Sequence, residues 1–118
     1  MIPNRKARLE SIILEEISDI LHRGIKDPRL DMVSVTEVDV SGDLKSAKIY
    51  YCIYGDQKRK DDAKAGFESA KGFIKRELIK RLNIKRVPDL SFIFDNSFDN
   101  ADRINHLLIE IGYKKDEE

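Results

Sequence analysis

Cysteine is almost absent from this 118-residue chain, with Cys52 the only one. A lone thiol cannot staple the fold internally, and with His22 and His106 it makes a poor metal set. No metal and no cofactor is expected. No apolar run approaches the ~20 residues that a membrane-spanning helix needs. The opening Met1-Ile2-Pro3-Asn4-Arg5-Lys6 leads into no apolar signal segment, so a cytoplasmic protein without a membrane partner is expected. Net charge is missing too, since 22 Lys and Arg balance 22 Asp and Glu. Taken alone, that balance speaks against a polyanionic partner. Repeats, low-complexity tracts and a phosphate-binding loop are also lacking.

What is present is a segregated charge pattern. Residues 57–86 hold eleven bases (Lys58, Arg59, Lys60, Lys64, Lys71, Lys75, Arg76, Lys80, Arg81, Lys85, Arg86) against four acids, a net of +7. Residues 87–118 sum to −5 and residues 31–56 to −3. Polyanion binding depends on local potential, so the basic stretch outweighs the neutral total. A hydrophobic fraction of 41% supports one modest core and a single domain.

The hydrophobic periodicity gives an order of elements. Leu9, Ile13, Ile17, Ile20 and Leu21 recur at helical spacing, with Pro3-Asn4 as start and Gly24 as stop. Arg5, Lys6 and Arg8 crowd the first turn, where cations oppose the helix dipole, and this conflict hints at an anionic partner. Asp27-Pro28-Arg29-Leu30 breaks the chain. Val33 and Val35 share one strand phase and Val38 and Val40 the other, which a bulge near Thr36-Glu37 reconciles. Ser41-Gly42-Asp43 reads as a turn, and Ala47, Ile49, Tyr51 and Ile53 alternate with Lys48, Tyr50, Cys52 and Tyr54, completing an antiparallel hairpin. A polar loop from Gln57 to Asp62 is expected to precede a long basic helix capped by Asp61 or Asp62. Leu90, Phe92 and Phe94 form a third strand. A last helix is expected from about Asp99 to Ile111, with Ile104, Leu107, Leu108 and Ile111 buried and Gly112 as its stop. The fold class is α+β, a three-stranded sheet packed on helices.

The basic helix carries a further signal. At ~100° per residue from Lys64, the apolar set Ala63, Phe67 and Ala70 points near 270°, and Ile74, Leu78, Ile79 and Leu82 near 345°. The stripe jumps by roughly 80° across Gly72, and glycine inside a helix costs about 1 kcal/mol relative to alanine. Together these predict a helix-kink-helix at Ala70-Lys71-Gly72, with amides exposed at the start of the second half. Lys64, Lys71 and Lys75 fall within roughly 40° of one another and form a ridge suited to phosphates.

These segments resemble the ribosome-binding factor A family, nearly end to end. Asp27-Pro28-Arg29-Leu30, Ser41-Gly42-Asp43-Leu44, Ala47-Lys48-Ile49-Tyr50-Tyr51, Ala70-Lys71-Gly72-Phe73-Ile74-Lys75, Pro88-Asp89-Leu90-Ser91-Phe92 and Asp95-Asn96-Ser97 carry the likeness in order. The resemblance implies a type II KH-like fold in residues 1–112 with a charged tail at 113–118. The GXXG loop of ordinary KH domains is absent, and in the family the alanine-x-glycine kink takes its place. The resemblance further implies a monomeric assembly factor that binds the immature, free small (30S) ribosomal subunit and its 16S rRNA, and not the translating ribosome. Late maturation, 5′-end processing and growth in the cold are the processes it would serve.

The RNA-binding residues expected are Lys64, Lys71, Gly72, Lys75 and Arg76, continued by Lys80, Arg81, Lys85 and Arg86, with Arg5, Lys6, Arg8 and Arg29 as outer contacts. Tyr50 and Tyr54 share a strand face, which bases, helices or solvent would explain equally well. An enzyme is not expected: His22 near Asp19, and His106 near Asp102, have the spacing of surface pairs, and Asp95 and Asp99 that of a strand exit and a cap. The other class to weigh is a protein-interaction module using the acidic C-terminal third.

Overall fold

The computed structural model describes residues 5–95. Helix α1 spans Arg5–Asp19 and passes into a π-helical turn at Ile20–Gly24, after which Ile25 is extended. A 3-10 turn at Pro28–Leu30 leads to β1 (Val33–Val40), β2 (Ser46–Ile53), the long helix α2 (Gln57–Leu82) and β3 (Asp89–Phe94). The sheet order is β1-β2-β3, with β1 antiparallel and β3 parallel to the central β2. This is the α+β, KH-like arrangement expected. The expected final helix over 99–111 and the tail lie outside the described residues.

Strand β1 solves its two-phase valine pattern as anticipated. Its register with β2 shifts between Val35 and Glu37, leaving Thr36 as the extra residue. The bulge lets Val33 on one side, and Val38 and Val40 on the other, all point into the core. On β2, Ala47, Ile49, Tyr51 and Ile53 are buried, while Tyr50 and Cys52 are half-buried on the outer face. The hairpin turn closes with the Leu44 amide donating to the Ser41 carbonyl at 2.9 Å.

Both helices cover the same face of the sheet, α1 over β1 and α2 over β2 and β3. Ile13 and Ile17 of α1 and Ile20 of the π-helical turn meet Ala63, Phe67, Ile74 and Leu78 of α2 in one core. Phe67 fixes α2 over the strands: its ring stacks on Phe92 at 4.5 Å between centroids and tilts against Tyr51 at the same distance. Aromatic pairs in this range add to the burial of their area. Two ties bind α1 to β1. The Glu10 carboxylate accepts from the Val40 amide at 2.9 Å, and Lys6 bridges Glu10 and Asp39.

Two expectations for α2 need correction. The helix begins at Gln57, not after Asp62, because Asp56 is its cap, accepting from the Arg59 amide at 3.1 Å. The polar run is itself helical, supported by Gln57–Asp61 and Lys58–Asp62 pairs one turn apart. The second correction concerns the break into two helices. Helix α2 runs through Ala70-Lys71-Gly72 as one continuous α-helix and ends only at Asn83, whose left-handed backbone (φ 54°) caps it. The fully buried residues explain why. Ala63, Phe67, Ile74 and Leu78 lie at roughly 260°, 300°, 280° and 320°, a single narrow stripe. The apparent jump came from Ile79 and Leu82, which sit half-buried on the flank. With no second helix start there, the free amides expected at the kink are not available to a ligand.

Candidate nucleic-acid interface

The candidate site is built on the solvent side of α2. A helix places residues three and four apart on one face, so Lys64, Lys71 and Lys75 form a row along roughly 16 Å of axis. Lys64 and Lys75 are exposed and Lys71 is half-exposed, and none has an ion-pair partner among the described residues. Exposed Glu68 lies on the same face, about 40° around from Lys64, so the row keeps a net positive charge with one acid among three lysines. Gly72, Arg76 and Lys80 form a second row, roughly 80–160° around the helix from Lys64. Gly72 is exposed, and the Arg76 guanidinium lies beside it, 3.4 Å from where a Cβ would stand. Lys85 and Arg86 follow the Asn83 cap as exposed cations, without an ion pair among the described residues.

Other expected contacts are engaged within the fold. Arg81 reaches across to α1, donating to Asp19 at 2.7 Å and Glu16 at 3.1 Å, and also pairs with Glu77 of its own helix. Its guanidinium charge is thereby held well above its ordinary pKa, with the Asp19 hydrogen bond as the main cause. The same bond, with Arg23 nearby, holds the Asp19 carboxyl below the usual range. Lys80, then Arg81, do the same for Glu77. Arg81 is thus a clasp between the two helices, and its position at roughly 260° on the buried stripe explains this. Arg29 closes a local ring. Its guanidinium donates to both Asp27 carboxylate oxygens, and its amide donates to the same group at 2.9 Å. Asp27 is held below its ordinary pKa by those bonds. Lys6 is committed to Glu10 and Asp39, whereas Arg5 and Arg8 flank a shallow groove floored by Leu9, Ile12 and Leu44.

Two features of this region escaped the sequence reading. Gly66, buried on α2, is the point of closest approach to the Pro28–Leu30 turn: an added Cβ would meet Leu30 Cδ2 at 3.0 Å. Lys60 stands 4.9 Å over the ring of Phe94, a cation–π contact that ties the start of α2 to β3. Only the three-dimensional approach of distant segments creates either. Of the histidines weighed for catalysis, His22 has its Nδ1 2.7 Å from the Ser18 carbonyl oxygen at the end of α1. The other, His106, lies outside the described residues, as do Asp99 and Asp102.

Comparison with known proteins places this architecture. The family model described as ribosome-binding factor A matches residues 5–108. The ribosome-binding factor A of Pediococcus pentosaceus is 50% identical over 109 residues, covering 92% of this chain and 94% of that protein. The crystal structure of ribosome-binding factor A from Thermus thermophilus superposes with a TM-score of 0.68 at 24% identity, over 75% of this chain and 93% of that one. Coordinates of the Thermus thermophilus factor fitted into a cryo-EM map of a 30S complex give a TM-score of 0.66 at 23% identity, over 78% of this chain and 97% of that one. The two Thermus structures share the fold; sequence identity over nearly the whole length carries the kinship. This chain belongs to the ribosome-binding factor A family.

Proposed function

We propose that this protein is an assembly factor that seats on the immature, free small ribosomal subunit through the lysine face of α2. It supports late maturation and 5′-end processing of the 16S rRNA, with its largest effect on growth in the cold. The observation that carries the reading is the row of Lys64, Lys71 and Lys75, which outnumbers Glu68 on its face and makes no ion pair among the described residues. A fitted 30S complex of the Thermus thermophilus relative supports the choice of subunit.

Phosphate contacts from this row, with Arg76, Lys85 and Arg86 beside it, supply affinity and orientation and read no bases. Arg5 and Arg8 are outer contacts. Arg81, Arg29 and Lys6 serve the fold first and contribute little to the RNA. The protein acts as a monomer in the cytoplasm, with residues 1–112 as the binding domain, 113–118 as a charged tail, and no catalytic residue.

Salt titration of subunit binding tests the reading. Wild-type affinity falls steeply between low and moderate salt, and Lys71→Glu with Lys75→Glu lowers the logarithmic slope by roughly 1.5, at about 0.7–0.9 for each phosphate no longer neutralised. Full binding by the double variant, with the fold intact, sinks the assignment of the face. Normal precursor processing in a deletion strain grown cold sinks the assembly role.

A further inference from the structure

We infer that the expected helix over residues 99–111 docks beside α2, over the open edge of β3, and there competes with RNA for the lysine row. The docking is independent of the function proposed above; the competition rests on it. Among the described residues β3 pairs only with β2, so its far side is a free edge. The Asp89 amide donates to the Lys45 carbonyl at 2.9 Å and the Asp95 amide to the Tyr51 carbonyl at 2.7 Å. Strand amides alternate in direction, so those of Leu90, Phe92 and Phe94 point off that edge. Proteins blunt such edges by laying a helix or loop over them. Beside this one, Phe92 and Phe94 are only half-buried.

Helix α2 shows which of its flanks looks onto the edge. With Lys64 as 0°, Gly66 at roughly 200° meets the Pro28–Leu30 turn. Phe67, at roughly 300°, stacks on Phe92, and Lys60, at roughly 320°, stands over Phe94. The same rotation continues to Lys71, Lys64 and Lys75 at roughly 340–20°, so the lysine row overhangs the β3 edge. Apolar floor and cationic wall run together for about 22 Å, from Lys60 to Lys75.

The segment beyond Asp95 fits this groove in origin, length, charge and hand. The chain leaves β3 where Lys60 covers Phe94, and Thr36 Oγ1 donates to the Asp95 carboxylate there at 2.7 Å. Residues 96–98 reach up to ~10 Å, enough to set a helix about 8–10 Å from its neighbour. As a helix, residues 99–111 span about 20 Å, close to the length of the groove. Residues 96–118 hold six acids and three bases, a net of −3. The other apolar surface within reach, the outer sheet face around Tyr50, Cys52 and Ile93, sets Glu37, Asp39, Asp89 and Asp95 against Lys48 and repels such a segment. A helix turning back from β3 runs parallel to α2. With Ile104, Leu107, Leu108 and Ile111 on the phenylalanines, Asp99 and Glu110 stand roughly 110–130° from the centre of that stripe, on the side turned to α2. An antiparallel helix would turn them away. Docked in this sense, the acids face the lysines that phosphates would use.

Paramagnetic broadening in the full chain tests the docking, with a nitroxide on Tyr113→Cys in a Cys52→Ser background. It should broaden the α2 amides from Lys75 to Leu82 and spare Tyr50 and Ile93. Adding Ile104→Ser with Leu108→Ser should abolish that broadening while the amide shifts of β2 stay in place. Without the label, the same two serines should tighten binding to protein-free rRNA about threefold or more at fixed salt, as release of an occupied site requires. Broadening centred on Tyr50 and Ile93, or none on α2, overturns the docking. Broadening on α2 with unchanged or weaker rRNA binding by the serine variant overturns the competition. Wild-type protein that binds no rRNA at any salt sinks the function proposed above and the competition with it, whereas broadening on α2 still upholds the docking.

Discussion

Two glycines of α2, six residues apart in one continuous helix, should respond to the same substitution with opposite sign. At Gly66 an alanine Cβ would stand 3.0 Å from Leu30 Cδ2, 3.1 Å from Leu30 Cγ and 3.2 Å from Arg29 Cβ. Leu30 is 3% exposed, and its turn is pinned by the Asp27 cap, so little can give way. The helix-propensity gain of about 1 kcal/mol is set against an overpacking cost of about 1–3 kcal/mol. Gly66→Ala should therefore lose about 1 kcal/mol. At Gly72 the nearest atom to an added Cβ is Arg76 Nη1 at 3.4 Å, the far end of a flexible side chain. Nothing offsets the propensity gain there, and Gly72→Ala should add about 0.5–1 kcal/mol. For a domain of this size, 1 kcal/mol moves the thermal midpoint by roughly 3–6 °C. Thermal melts, with urea unfolding at unchanged slope as a check on two-state behaviour, read both changes. Two rises would mean that the Leu30 turn yields freely. A fall at Gly72 would mean that its backbone needs glycine, refuting the continuous helix.

Other outcomes follow from the same geometry. Asp19, Asp27 and Glu77 have folded pKa values below their ordinary ones. Their pairing contributes fully above the unfolded carboxylate range of about pH 4 and is lost as pH falls through the lowered values. The melting midpoint should hold between about pH 7 and 5 and drop below about pH 4. Arg81→Met should lower it at neutral pH and make the acid fall shallower; an identical acid limb would show that the clasp does not contribute. Phe67→Ala, at a ring 1% exposed and touching Tyr51 and Phe92, should cost about 3–5 kcal/mol in urea unfolding, and a loss under about 1 kcal/mol would show the cluster to be dispensable. Burial, then the neighbouring Asp95 charge, pushes the half-buried Cys52 thiol above its ordinary pKa. Alkylation at about pH 8 should be slower than for a free thiol and should accelerate in urea; equal rates in the two conditions would contradict that.

Strand alternation was legible because its period is short and its errors are local. The valine phases of β1 located the bulge within one residue, and the turn at Ser41-Gly42-Asp43 fixed the hairpin register. The start of α2 was not legible, since Gln57 to Asp62 contains no apolar residue and so offers no periodic signal. The break into two helices was misjudged because apolar identity stood in for burial: Ile79 and Leu82 are apolar yet only partly covered, and what covers a helix face lies elsewhere in the chain. The bases of the candidate site could be counted from sequence, but not their partners. The carboxylates that hold Arg81 come from Glu16 and Asp19, more than sixty positions away. Lys64, Lys71 and Lys75 share a face by spacing alone, so that part of the site was visible from the beginning.

The parallel pairing of β3 also sets an order of folding. Strand β2 lies between a neighbour joined to it by a tight turn and one delivered only after the 26 residues of α2. During synthesis α1, the hairpin and α2 emerge first, leaving one edge of β2 unpaired and Phe67 without Phe92 beneath it. An open edge next to an apolar face is an invitation to pair with another chain. Closure waits for residues 89–94, so nascent chains stopped short of them should aggregate, although the lysine face has already been made.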